Sequence, residues 1–127
     1  MKCHGIRGAT TIDANTKELI FKATKELLNE MIRANAVDLD DMACILFTTT
    51  GDLNAAFPAA AAREIGLDNV PLMCSREIDV PDSLKSCLRI LILFNTDKAA
   101  SDIKHIYTGG ATALRVNNIG SETSPEV

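Results

Sequence analysis

The stretch VPLMCSREIDVPDSLKSCLRILILFN, from Val70 to Asn95, carries the residues with the most chemical promise. Counted from Cys87 at the period of a strand, Leu88, Ile90, Ile92 and Phe94 share one face, and Arg89, Leu91 and Leu93 share the other. Both faces are apolar apart from Arg89. A guanidinium does not shed its proton, so in such a setting it must meet a carboxylate or be held ready for an anion. A few residues upstream, Cys74 and Glu77 stand where a short strand runs into a turn. The expectation is one anion-binding pocket that contains Cys74, Glu77 and Arg89.

Arg7, Arg63 and Arg115 also fall at or near the ends of elements, and for each alone the plain reading is a surface ion pair. Several arginines converging would suit a ligand with two carboxylates, because the planar fork grips a carboxylate at two points. Cys74 is a poor nucleophile candidate: neither His4 nor His105 stands in a local Cys-His signature, and buried structural cysteines are common. Glu77 is a general-base candidate whose default is a solvated pair with Arg76 or Lys85. Tyr107, the only tyrosine, reads as a half-buried edge residue with a wet hydroxyl. Gly5 and Gly8 miss the GxGxxG spacing, and no phosphate-binding GxxxxGK[ST] loop or Ser-His-Asp arrangement can be argued.

The elements that must position these residues make an α/β chain with a mixed five-stranded sheet, one long helix and one short helix. His4 to Ile12 reads as a strand. Asn15, with Glu18 three residues on, suggests a capping box. Leu19, Ile20, Ala23, Leu27, Met31 and Ile32 then recur at helical spacing from Thr16 to about Asn35, with Glu18 and Lys22 paired outside. MACILFTTT, from Met42, is an interior strand, and strand, helix and strand are expected as a right-handed βαβ unit with strands one and two parallel. Pro58 opens a short alanine-rich helix to Ile65 that Gly66 closes. Val70 to Cys74 is a third strand, Ser83 to Ser86 a helical turn and Cys87 to Asn95 a fourth strand. Ile103 to Arg115 is a fifth strand, broken or bulged at Gly109 and Gly110.

The chain has 127 residues, 46% of them hydrophobic and 24% charged, with a net charge of −4, which suits one domain with a core of its own. The expected division is a single domain over residues 1–115 and a mobile tail over 116–127. Without a basic block, nucleic acid and anionic membranes are poor partners. No apolar run is long enough for a bilayer, and MKCHGIRGATT lacks a signal-peptide core, so a cytoplasmic location is expected. Cys3, Cys44, Cys74 and Cys87 are scattered, which points to reduced thiols and no structural metal; no cofactor is expected.

Taken together, GIRGATT at residues 5–11, AAFPAAAAREIG at 55–66, VPLMCSREIDV at 70–80, CLRILILFNTD at 87–97 and HIYTGGATALR at 105–115 resemble the monofunctional AroH-class chorismate mutases. The resemblance implies a homotrimer, arranged as a pseudo-α/β barrel with active sites between subunits. It also implies conversion of chorismate to prephenate on the branch toward phenylalanine and tyrosine. It carries catalytic roles onto Arg89, Glu77 and Cys74. Substrate-binding roles fall on Arg7, Phe57, Ala59, Arg63, Leu72, Met73, Tyr107, Leu114 and Arg115. Ala60 and Met73 depart from the pattern, where Lys and Thr are frequent. Two rivals remain from the residues alone: a trimeric metabolite-binding protein with the same cationic cleft, and a small trimeric enzyme acting on imine or enamine intermediates.

Overall fold

The computed structural model describes residues 1–114. Arg115 and the tail expected over 116–127 lie outside the described residues. The elements run β1 (Lys2–Thr11), α1 (Lys17–Ala34), β2 (Met42–Thr49), α2 (Pro58–Glu64), β3 (Leu72–Arg76), β4 (Cys87–Thr96) and β5 (Ile106–Tyr107). The strands form one sheet in the order β3-β2-β4-β1-β5. β4 is antiparallel to both β1 and β2, whereas β3 is parallel to β2 and β5 to β1. The expected mixed five-stranded sheet with a long and a short helix is therefore present. β1 and β2 do run in the same direction, but β4 lies between them. The reason is that β4 is apolar on both faces, so it gains most at the centre, where all ten residues of β1 pair with it.

Leu88, Ile90, Ile92 and Phe94 of β4 point to one face and join Ile6 of β1, Ile45 and Phe47 of β2, and Ile20, Leu27, Leu28 and Met31 of α1 in the main core. Each such side chain contributes about 1.5–3 kcal/mol when fully buried. The α1 residues recur at three and four positions, which makes the single buried stripe the sequence indicates. Gly8 lets Met31 of α1 pack directly onto β1: a Cβ there would lie 2.3 Å from the Met31 sulfur, so that side chain would have to shift.

The N-cap of α1 is Thr16, whose hydroxyl accepts from the Leu19 N–H at 3.2 Å. Asn15, the cap expected from the sequence, instead ties the helix entrance to the loop before α2. It accepts from the backbone N–H groups of Asn54 and Ala55, both at 3.0 Å. Lys25 pairs with Glu64 of α2 at 2.6 Å, so the ion pair here joins the two helices. Pro58 opens α2 and Gly66, at φ +94°, follows its end.

Two expected elements are replaced. Residues 83–86 form no helical turn: Asp82 and Ser86 take positive φ values of 66° and 52°, incompatible with a continuing right-handed helix, and the chain turns instead through Pro81 and Asp82. The fifth strand shrinks to Ile106–Tyr107. Beyond it, Gly109 at φ 57° starts a 3₁₀ turn pressed against β1, where Gly110 N–H donates to the Thr11 hydroxyl at 2.8 Å.

Candidate active site

Arg89 projects from β4 onto the sheet face that neither helix covers. Its register neighbours are Ala9 of β1 and Thr48 of β2, both small, so the sheet leaves room around the guanidinium. Glu77 follows β3 and extends its pairing by one residue, its N–H donating to the Thr49 carbonyl at 2.9 Å. That extra step turns the Glu77 side chain to the Arg89 face. One carboxylate oxygen, Oε2, lies 3.2 Å from Arg89 Nε and accepts from the Thr48 hydroxyl at 2.9 Å. Glu77 thus pairs with Arg89, in place of the Arg76 or Lys85 that its sequence neighbourhood suggests.

Arg7 and Tyr107 complete the wall. Tyr107 of β5 registers with Ala9 of β1, the residue that also faces Arg89, so a cation and a phenol flank one small side chain. These residues, with Leu46 and Leu91 as apolar floor, bound a cavity of about 280 Å³. Leu114 is buried beside Ala9, Cys87 and Ala111, with Tyr107 packed against that cluster. Burial raises the pKa of the Cys87 thiol, and the Arg89 charge and hydrogen bond only partly oppose this. Cys87 therefore stays a neutral packing group at the foot of the site.

Cys74 lies elsewhere within the chain. It pairs with Phe47, packs against the main core on the helix-covered face, and lines a separate cleft beside Phe57 and Arg76. Phe57 stands at the entrance of α2 with 71% of its surface exposed. Ala59 and Leu72 pack into or against the core, Met73 is exposed on β3, and Arg63 is exposed in the last turn of α2. One chain thus gathers Arg7, Glu77, Arg89 and Tyr107 and holds Phe57, Arg63 and Cys74 apart from them. Thr48 was not among the expected site residues. Its signal in the sequence was slight: a hydroxyl in an interior strand, at a position whose neighbour across the sheet no local pattern reveals.

Among the described residues no cluster of His, Cys, Asp or Glu could hold a metal ion, and no helix is long and apolar enough to cross a membrane. The arrangement offers a fixed cation, a carboxylate held by two partners, a second cation and a phenol around a small apolar cleft. It can bind an anion with a polar ring and stabilise charge that grows on an oxygen.

The family model for chorismate mutase type I matches residues 3–118. A chorismate mutase AroH of Thermus thermophilus is 46% identical over 112 residues, which span 87% of this chain and 92% of that protein. One from Bacillus subtilis is 40% identical over 116 residues, 91% of either chain. A solved chorismate mutase from Clostridium thermocellum superposes with a TM-score of 0.85 at 50% identity, over 87% of this chain and 98% of that one.

Proposed function

The chain belongs to the chorismate mutase type I family, which makes it an isomerase, and we propose that it rearranges chorismate to prephenate in clefts completed by a neighbouring subunit of a homotrimer. The observation that carries the reading is Arg89, aimed at the open face of the sheet and oriented by Glu77 beside Arg7 and Tyr107. In the [3,3] rearrangement the ether C–O bond breaks as a C–C bond forms, and negative charge grows on the ether oxygen. No proton transfer or nucleophile is required. What accelerates the step is a compact substrate conformer and a cation fixed where that charge develops. Arg89 is the cation. Its attraction is stronger in the transition state than in the ground state, which is the condition for raising kcat.

Glu77, held by Thr48, orients the ring hydroxyl, and Cys74 of the neighbouring subunit lies against the ring without acting as a nucleophile. Arg7 and Tyr107 take the side-chain carboxylate. Phe57 and Leu114 are apolar walls with Ala59, Leu72 and Met73 near them, and Arg63 and Arg115 draw in the dianion. Two features support completion by a second subunit. The residues the reading needs are divided between two clefts in one chain. The uncovered sheet face also presents partly exposed Leu46, Leu91 and Leu93, an apolar surface suited to a second copy. A cytoplasmic setting, where its thiols stay reduced, fits a step of aromatic amino acid biosynthesis.

The test is to add chorismate to the purified protein and follow loss of its absorbance together with formation of prephenate. Turnover is expected. Binding without turnover would overturn the reading in favour of a metabolite-binding protein. Turnover only of imine or enamine compounds would point to the other rival.

A further inference from the structure

Arg7 and Tyr107 sit on strands that meet over only two residues, because β5 pairs with β1 at Gly8 and Ala9 alone. So short a ladder leaves the Arg7 N–H, which points toward β5, without a backbone carbonyl opposite it. The structure gives that N–H to a side chain: it donates to His105 Nδ1 at 2.9 Å. His105 directly precedes β5, and Tyr107 lies two residues beyond it. The residue before His105 is fixed as firmly. Asn35, 1% exposed at the end of α1, donates to the Lys104 carbonyl at 2.9 Å and accepts from the Lys104 N–H at 2.8 Å, copying a strand pair with one amide side chain.

We propose that His105 is a positioning residue for this reaction: its neutral imidazole, with Nδ1 as acceptor, sets the relative position of Arg7 and Tyr107 by standing in for a missing ladder partner. An imidazole can accept at Nδ1 only if that nitrogen carries no proton, which places the ring proton on Nε2. The imidazole does not touch the reacting atoms. It acts through the backbone of Arg7 and through the strand that carries Tyr107, and its consequence for turnover rests on the chorismate reading above.

An Asn side chain can place its carbonyl oxygen near the position of Nδ1, whereas Gln reaches toward the position of Nε2. His105→Ala and His105→Gln should therefore lose roughly three- to tenfold in kcat/KM, the scale of one neutral hydrogen bond, and mainly through KM. His105→Asn should recover to within about twofold of the wild type. In a double-mutant cycle, His105→Ala in an Arg7→Ala background should cost markedly less than it does alone. Equal activity of the Asn and Gln variants, or fully additive losses, would overturn the proposal. Should a variant fail to fold, nitrogen-15 NMR of the wild-type protein decides: an unprotonated, hydrogen-bonded Nδ1 is expected, and a proton on Nδ1 would overturn the proposal. That spectrum is independent of turnover, so wild-type protein inert toward chorismate would count against the function and leave the tautomer result standing.

Discussion

Replacing Arg89 with alanine separates the chemistry of this site from its contribution to stability. Loss of one donor at a developing oxyanion typically costs about 100- to 1000-fold in kcat, or about 2.7–4 kcal/mol. The structural cost is smaller. The Arg89 and Glu77 side chains are 23% and 28% exposed, between a fully buried pair, which costs about 3–5 kcal/mol to break, and an exposed one, which is worth about 0–1. In the variant, Glu77 keeps the Thr48 hydroxyl and retains access to water, so about 1–2 kcal/mol of stability should be lost. That corresponds to a fall of roughly 4–8 °C in Tm. Arg89→Lys keeps the charge on a flexible stem but loses the Nε contact, so its kcat should lie between the two. Stopped-flow loss of chorismate at saturating substrate, set beside thermal unfolding of each variant, reads both quantities. If Arg89→Ala kept kcat within about tenfold of the wild type, the assignment of Arg89 to the ether oxygen would be refuted.

If each site draws Arg89 from one subunit and Arg63 from the next, mixing Arg89→Ala and Arg63→Ala proteins under subunit exchange should give more activity at low substrate than the two variants show separately. Proven exchange with no gain would put both residues in one chain's site. Ala36 occupies the left-handed region at φ 50° just after α1, with Val37 N–H donating to the Ile32 carbonyl, a position that suits glycine. Ala36→Gly should raise stability by about 0.5–1 kcal/mol, and an unchanged or lower Tm would contradict this. The Asp52 carboxyl is held below its ordinary pKa chiefly by the Thr50 hydroxyl, and also by the Ser86 N–H and hydroxyl. A lowered folded-state pKa contributes stability above the ordinary carboxylate range that is lost as pH falls through the folded value. Asp52→Asn should therefore unfold at lower temperature than the wild type at neutral pH. The gap should close in acid below about pH 4, and a gap that stays constant across that range would exclude the carboxylate as its source.

The elements themselves were legible because their signals are local. The α1 stripe, the Pro58 helix start and the apolar run of β4 depend on spacing within one segment. The insertion of β4 between β1 and β2 was not legible, since it depends on which strand gains most from two covered edges. Nor was the turn at residues 81–86, where Asp82 and Ser86 adopt left-handed conformations in a segment rich in polar residues that also suit a helix end. The shortened β5 has a similar origin. Isolated, HIYTGG reads as a strand with a defect, but Gly109 and Gly110 are there because the chain must turn against Thr11.

For the site, direction was harder to read than proximity. Cys74 and Glu77 are three residues apart, and extended backbone alternates its side chains at every residue, so an odd separation places them on opposite faces. β3 keeps that alternation through Arg76, and the Glu77 N–H bond to Thr49 continues it by one more residue. Glu77 consequently reaches Arg89 across Thr48, while Cys74 turns to the core beside Phe47. No side-chain rotation carries a thiol through a hydrogen-bonded sheet. A cleft that uses both the Cys74 thiol and the Arg89 guanidinium must therefore bring the edge of one chain, with Cys74 and the exposed Phe57, against the open face of another. Three residues of separation in the sequence already contain that requirement, once the segment between them is known to be a strand.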